Sequence, residues 1–227
     1  MGTSTMVGRR AAHRETRRGI LPLVAQPRPS APPDPPVQPV PLGRPPTYAD
    51  VEALPVHLRG EIVGGQLYAL PRPAPPHSYV ISKLLTWLNR HFDDGRRGGG
   101  DAGRWVFLPE PELHLEAEER PIVPDVAGWR RERMPGVPRT PAIRLAPDWV
   151  CEVLSPSTET YDRGPKMDTY GRAGVPHAWL VDPEARTLEA YRNDAGTWRP
   201  LGRWQGAARV RVAPFDAAEL DLAELWA

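Results

Sequence analysis

Pro147–Pro183 reads PDWVCEVLSPSTETYDRGPKMDTYGRAGVPHAWLVDP, and its reading decides the fold. Trp149-Val150-Cys151-Glu152-Val153-Leu154 is a short apolar run of strand length with one acid inside it. A polar turn, Ser155 to Thr160, leads into a helical segment that carries Lys166 and Tyr170 one turn apart. Gly174 is placed to end that helix, because a left-handed cap suits glycine. Ala178-Trp179-Leu180-Val181 then reads as a second buried strand. Strand, helix and strand in this order predict a parallel pairing inside an α/β sheet.

Glu152 is the oddity in that unit. A carboxylate in a buried strand is costly unless it is paired, hydrogen-bonded or metal-bound. A second such acid, Asp125, lies upstream in Ile122-Val123-Pro124-Asp125-Val126-Ala127. If the two strands are neighbours, both carboxylates project at one end of the sheet. At about 5 Å and an effective dielectric near 20, their repulsion is about 3 kcal/mol. A divalent cation between them would remove it, and a Lys on the following helix could reach the same place.

These residues resemble the Uma2 family, restriction-endonuclease-like proteins of the PD-(D/E)xK nuclease superfamily. The resemblance is carried by Pro124-Asp125, Glu152-Val153-Leu154-Ser155-Pro156-Ser157, Asp162 and Lys166 before Tyr170, and Trp179-Leu180-Val181-Asp182-Pro183. It takes in Arg59-Gly60-Glu61-Ile62-Val63-Gly64-Gly65 and His77, and it spans residues 47–227. The superfamily's Lys would fall two residues after the Glu, where this chain has Leu154; Uma2-like members carry it on the next helix, here Lys166. The implied fold is α/β (α+β): a mixed central sheet flanked by helices, with extra antiparallel hairpins. The implied chemistry is metal-dependent hydrolysis of DNA phosphodiesters. Asp125, Glu152 and the Val153 carbonyl would hold Mg²⁺ or Mn²⁺, since hard cations take oxygen ligands. Lys166 would orient or activate water, and Glu61 would add a ligand. His77 and Tyr170 would stand behind these groups, unless His77 is only a cap or a solvated residue at its helix start and Tyr170 belongs to the core. A homodimer is expected from the need to cut two strands. The competing reading is a binding module that keeps the nuclease-like fold and cuts nothing.

Composition sets the boundaries. Eleven prolines fall between Pro22 and Pro46, after an Arg-rich start, so residues 1–46 are expected to be a disordered tail. That tail holds seven Arg against Glu15 and Asp34, a net of +5, whereas the whole chain is +1. Residues 47–227 are therefore acidic, near −4, which argues against a strong non-specific DNA-binding module. The loop between Arg130 and Pro147 is basic, and Arg130 and Arg131 are candidates for phosphate contacts. Cys151 is the single cysteine, so no disulfide partner and a reducing, cytoplasmic setting are expected. No apolar run approaches membrane-spanning length. Ser155 lacks the glycine-flanked elbow of a hydrolase nucleophile and is expected to form a turn.

Overall fold

In the computed structural model, residues 1–2, 35–93, 104–115 and 120–226 are described. Most of the expected N-terminal tail and the Gly/Arg-rich segment 94–103 lie outside them. Residues 35–46 differ from the expected disorder. Pro39–Val40 form a strand, β1, and the Val37 N–H donates to the Ser157 carbonyl.

Thr47 caps the short helix α1 (Tyr48–Glu52), its backbone N–H donating to the Asp50 carboxylate at 2.8 Å. Strands β2 (Arg59–Val63) and β3 (Gln66–Leu70) make an antiparallel hairpin through Gly64 and Gly65. Both glycines have positive φ, +58° and +75°, as the two-residue turn requires. β1 pairs with β3, giving a small sheet of order β1-β3-β2.

Helix α2 (Pro75–Leu88) starts with proline in its first turn and buries Val80, Leu84, Trp87 and Leu88, residues three or four apart that share one face. The central sheet has the order β4-β5-β6-β7-β8-β9. Its members are β4 (Trp105–Pro109), β5 (Val126–Arg130), β6 (Trp149–Val153), β7 (His177–Asp182), β8 (Thr187–Asp194) and β9 (Thr197–Gln205). Only β6 and β7 pair in parallel, Cys151 opposite Trp179; the other neighbours are antiparallel, so the sheet is mixed. Leu113 forms isolated bridges with Ile122 and Ile143. A last strand pair, β10 (Arg209–Val210) with β11 (Leu220–Asp221), precedes a single 3₁₀ turn, Leu222–Leu225.

The crossover from β6 to β7 is α3 (Glu159–Tyr161), a wide π-helical turn Asp162–Lys166, and α4 (Met167–Arg172). Pro165 sits inside the wide turn, where it lacks an N–H to give to the regular ladder. Gly174, with φ +75°, ends α4.

Alternating residues of β6 face two cores. Trp149, Cys151 and Val153 pack with α2, Trp179 and Phe215, while Val150 and Leu154 pack under the crossover with Tyr161, Met167 and Tyr170. Trp149 meets Trp179 edge-on at 5.4 Å, so these tryptophans are packing residues. Glu152 shares the crossover face, and that parity aims its carboxylate at Lys166.

Candidate active site

Asp125 immediately precedes β5 rather than lying within it. Because β5 and β6 are antiparallel, with Val126 opposite Cys151, Asp125 falls opposite Glu152 at one end of the sheet. The Val153 N–H donates to Asp125 Oδ2 at 2.7 Å, and the Asp125 N–H reaches Glu152 Oε2 at 3.3 Å. The two acids are thus stitched through each other's backbones.

Glu61 arrives from β2. Gly60 before it is tightly constrained: a Cβ there would meet Leu54 Cδ1 at 2.7 Å and Val51 Cγ1 at 2.8 Å, so α1 can close onto β2 only over a glycine. Arg59 and Glu61 flank that glycine and share the other face of the strand. Glu61 Oε2 accepts from the Tyr161 hydroxyl at 3.0 Å and the Val123 N–H at 3.2 Å. Its Oε1 lies 3.3 Å from the Arg59 guanidinium but has no hydrogen-bond donor.

Lys166 joins these acids. Its ammonium lies 2.8 Å from Glu152 Oε1, 3.7 Å from Asp162 and 4.0 Å from Glu61, and it donates to the Val123 carbonyl at 3.0 Å. Lys166 and Glu152 are each 1 % exposed and Glu61 is fully buried, so these charges meet out of water. The Tyr170 hydroxyl donates to Glu152 Oε1 at 2.6 Å, and His77 Nε2 stands 3.0 Å from Asp125 Oδ2. Tyr170 therefore does two jobs, since it is also wholly buried in the core.

Four buried carboxylates, Glu61, Asp125, Glu152 and Asp162, face two fixed cations, Lys166 and Arg59. The imbalance shows in their protonation. Burial pushes Glu152 up to about 8, with Lys166 pulling the other way and Asp125 adding to the rise. Burial likewise pushes Asp162 up to about 6. Asp125 is held below its usual range; burial opposes this, but His77, Lys166 and Arg59 together prevail. Burial also works against the charge on Lys166, yet Glu152, Glu61, Asp162 and Asp125 keep its pKa above the ordinary value. Lys166 is therefore a firmly held ammonium, and Glu152 is the group poised to exchange a proton.

Asp125, Glu152, Lys166, Glu61, His77 and Tyr170 converge as the sequence predicts. Arg130 and Arg131 do not. From Asp125 at the site, β5 carries the chain to Arg130 at the far end of the sheet, about 16 Å away. The basic loop leaves from that end and returns there to start β6. Arg130 lies over the Trp105 ring at 5.0 Å, and Arg131 pairs with Asp93 at 2.7 Å. Three groups at the site were given no role by the sequence: Arg59, Tyr161 and Asp162. The spacing Arg59–Glu61 on a strand and Asp162–Lys166 on a helix were the signals that each pair shares a face.

Among the described residues, no three His, Cys, Asp or Glu side chains are arranged to hold a metal ion. Mg²⁺ commonly keeps several waters and takes one or two carboxylates together with phosphate oxygens as its other ligands. Asp125 and Glu152 would be the hard oxygen donors for such a cation, and Glu61 Oε1, which lacks a hydrogen-bond donor, is a buried acceptor in the same cluster.

A chain from Synechocystis sp. described as "Uncharacterized protein slr1290" is 29% identical over 156 residues, 67% of this chain and 75% of that one. A crystal structure from Anabaena variabilis, described as "a putative nuclease belonging to DUF820", superposes with a TM-score of 0.63 at 22% identity, over 80% of this chain and 97% of that one. At that identity the likeness shows a shared fold, the mixed sheet with its helices and hairpins. The family model Uma2, described as "Putative restriction endonuclease", matches residues 47–223. That match includes every residue of the carboxylate–lysine cluster, and the chain belongs to the Uma2 family.

Proposed function

We propose that this chain is a metal-dependent nuclease that hydrolyses phosphodiester bonds in DNA. The observation that carries the reading is the convergence of Asp125, Glu152 and Lys166 from three separate elements at one sheet end, with an excess of buried acid around a single ammonium. The descriptions of the Uma2 family as restriction endonucleases and of the Anabaena structure as a nuclease support the reaction class, with DNA as the substrate.

Asp125 and Glu152 would hold Mg²⁺ or Mn²⁺, with the Val153 carbonyl and Glu61 as further oxygen donors. When bound, the cation polarises the phosphate and lowers the pKa of a coordinated water. Lys166 keeps its proton, so it serves as a donor: it orients the attacking water and stabilises negative charge as the bond to phosphorus forms. It is too basic in this setting to act as a general base, which narrows its role. His77 fixes the Asp125 carboxylate, and Tyr170 fixes Glu152 Oε1 so that Oε2 faces Asp125. Glu152 must give up the proton that burial favours before it can ligate a cation, so metal affinity rises with pH towards about 8. Cutting both strands of a duplex calls for two such sites, hence a homodimer on DNA.

The test is cleavage of supercoiled plasmid and of single-stranded DNA with Mg²⁺ or Mn²⁺, for wild type, Glu152→Ala and Lys166→Ala. Circular dichroism confirms that each variant is folded. Cutting that requires the metal and falls at least about 100-fold in both variants is expected, an energy of about 3 kcal/mol in the transition state. A folded wild-type protein that neither cuts nor binds Mn²⁺ in calorimetry overturns the proposal.

A further inference from the structure

A cavity of about 410 Å³ opens beside the carboxylate cluster and is lined by Val56, His57, Arg59, Arg72, Pro73 and Glu110 among others. Its inner wall is Arg59, the same guanidinium that reaches Glu61 at 3.3 Å. Its outer wall carries Arg72 and His57, both exposed, together with the exposed Val56. Arg72 stands in the loop that joins β3 to α2, five residues before His77, so one short segment positions a cation in the cleft and a partner for Asp125.

Glu110 occupies Arg59 in this state. The Arg59 Nη1 donates to Glu110 Oε1 at 2.8 Å, although the Glu110 side chain remains 47% exposed. Glu110 is held in the left-handed region, φ +44°, where β4 has just ended, and its N–H donates to the Asp125 carbonyl at 3.1 Å. A non-glycine residue in that conformation is uncommon, and such residues cluster at functional sites. The backbone of Glu110 is thus tied to Asp125 while its exposed carboxylate covers an inner cation. The Nε of Arg59 is buried and has no partner, so Glu110 and Glu61 leave one donor of the guanidinium unfilled.

We infer that this cleft is the subsite for a phosphate of the substrate strand next to the scissile one, bound by Arg59 and Arg72, and that the Glu110 carboxylate stands in for that phosphate until it is displaced. The inference rests on the nuclease reading for the identity of the strand. A planar guanidinium suits phosphate oxygens, which it can take in bidentate fashion once the Glu110 carboxylate is displaced. Arg72 at the rim adds attraction that depends on salt. Val56 and Pro73 offer the sugar and base an apolar wall. The cleft supplies locally the positive charge that the acidic domain lacks as a whole, and it does so where the sheet brings Asp125, unlike the basic loop after Arg130.

Binding of a fluorescein-labelled single-stranded DNA 12-mer, followed by anisotropy in EDTA over a salt series, tests this without turnover. Glu110→Gln should tighten binding about 2- to 5-fold, the equivalent of freeing one partly exposed ion pair. Arg72→Ala, an exposed change with no folding cost, should weaken it and reduce the slope of log affinity against log salt by about 1. Arg59→Met should weaken binding about 10-fold or more, with its fold checked by circular dichroism. Inorganic phosphate at millimolar levels should compete more strongly against the Glu110→Gln protein than against wild type. No binding by wild type, or an unchanged affinity in Glu110→Gln with an unchanged salt slope in Arg72→Ala, overturns the subsite. Cleavage assays on the same proteins separate the two readings. Variants that alter binding while wild type cuts nothing retain the subsite and refute the nuclease; cutting with unaltered binding does the reverse.

Discussion

Replacing Lys166 by Met keeps the length and the apolar stem of the side chain but deletes the one ammonium that three buried acids share. At an effective dielectric near 20, the 2.8 Å contact with Glu152 is about 6 kcal/mol of attraction, and those with Asp162 at 3.7 Å and Glu61 at 4.0 Å are about 4 kcal/mol each. Most of this offsets the several kcal/mol that burying Lys166 costs and the cost of burying its partners. What the variant exposes is the remainder, the price of leaving buried carboxylates uncompensated, about 3–5 kcal/mol at pH 8. Protonation is the escape route. With the cation gone, Glu152 and Asp162 hold their protons to still higher pH, so the loss should shrink to about 1–2 kcal/mol at pH 5, where both are already neutral. Urea denaturation in EDTA at pH 5 and pH 8, followed by tryptophan fluorescence, measures both numbers. Should the variant not fold at pH 8, Lys166→Met combined with Glu152→Gln should restore part of the stability, because the contact and its orphan are removed together. A loss below about 1 kcal/mol at pH 8, or one of equal size at both pH values, refutes the reasoning: the acids would then not depend on Lys166.

The wild-type protein in EDTA should lose stability as pH rises. Glu152 at about 8 and Asp162 at about 6 are raised above their ordinary values of 4.5 and 3.8, so the folded state binds protons that the unfolded chain releases. Their contribution is full below about pH 4 and is lost as pH climbs through 6 and then 8; a denaturation midpoint that rises over this range contradicts it. Excess Mn²⁺ at pH 8.5 should recover the loss, since a ligand of the folded state alone stabilises by mass action, and a melting temperature indifferent to Mn²⁺ would count against Asp125 and Glu152 as ligands. Tyr170→Phe removes a 2.6 Å donor from Glu152 and should cost about 2 kcal/mol in urea denaturation, with Mn²⁺ binding shifted to higher pH because the carboxylate loses a bond that favours its charge. Gly128→Ala places a Cβ 2.9 Å from the Phe107 ring and 3.2 Å from Trp149, in the middle of β5, and should cost about 1–3 kcal/mol in the same assay.

The sheet around β6 and β7 was legible because its strands are buried on both faces and read as unbroken apolar runs, while the helix between them ends at a glycine. The acids were legible for the opposite reason: Glu152 interrupts such a run where nothing but function or a partner explains it. What stayed hidden was direction. From the order of segments, the loop after Arg130 follows one acid and precedes the other, which places it beside both. An antiparallel β5–β6 pair instead sends the chain to the far end of the sheet between the two acids, and no local pattern announces which pairing a strand will take. Asp125 also lies one step outside its strand, where its N–H is free to reach Glu152 rather than continuing the ladder. Arg59 sits in the quoted motif without a role, and only the packing of Val51 and Leu54 onto Gly60 shows why it shares a face with Glu61. Residues 35–46 look unfoldable by composition, yet two of them add a strand to β3; the edge of an existing sheet can recruit a segment that would not fold alone.

The cluster is better understood as a site than as a structural ion pair, and the reason is arithmetic of charge. A buried pair built for stability would match its charges, because every unmatched one costs several kcal/mol. Here Lys166 and Arg59 answer Glu61, Asp125, Glu152 and Asp162, and the shortfall is met by keeping acids protonated at pH values where free carboxylates are ionised. An apolar core of the same volume would be more stable. Glu110 repeats the pattern at the mouth of the cleft, a strained residue whose exposed carboxylate spends itself on Arg59. A cation among the acids would neutralise the first arrangement, and a phosphate on Arg59 would take the place of the Glu110 carboxylate in the second. On the proposed function, binding of the two together would exchange a strained, proton-bearing cluster for a neutralised one, and the stability forgone in the free protein would return as affinity for metal and strand.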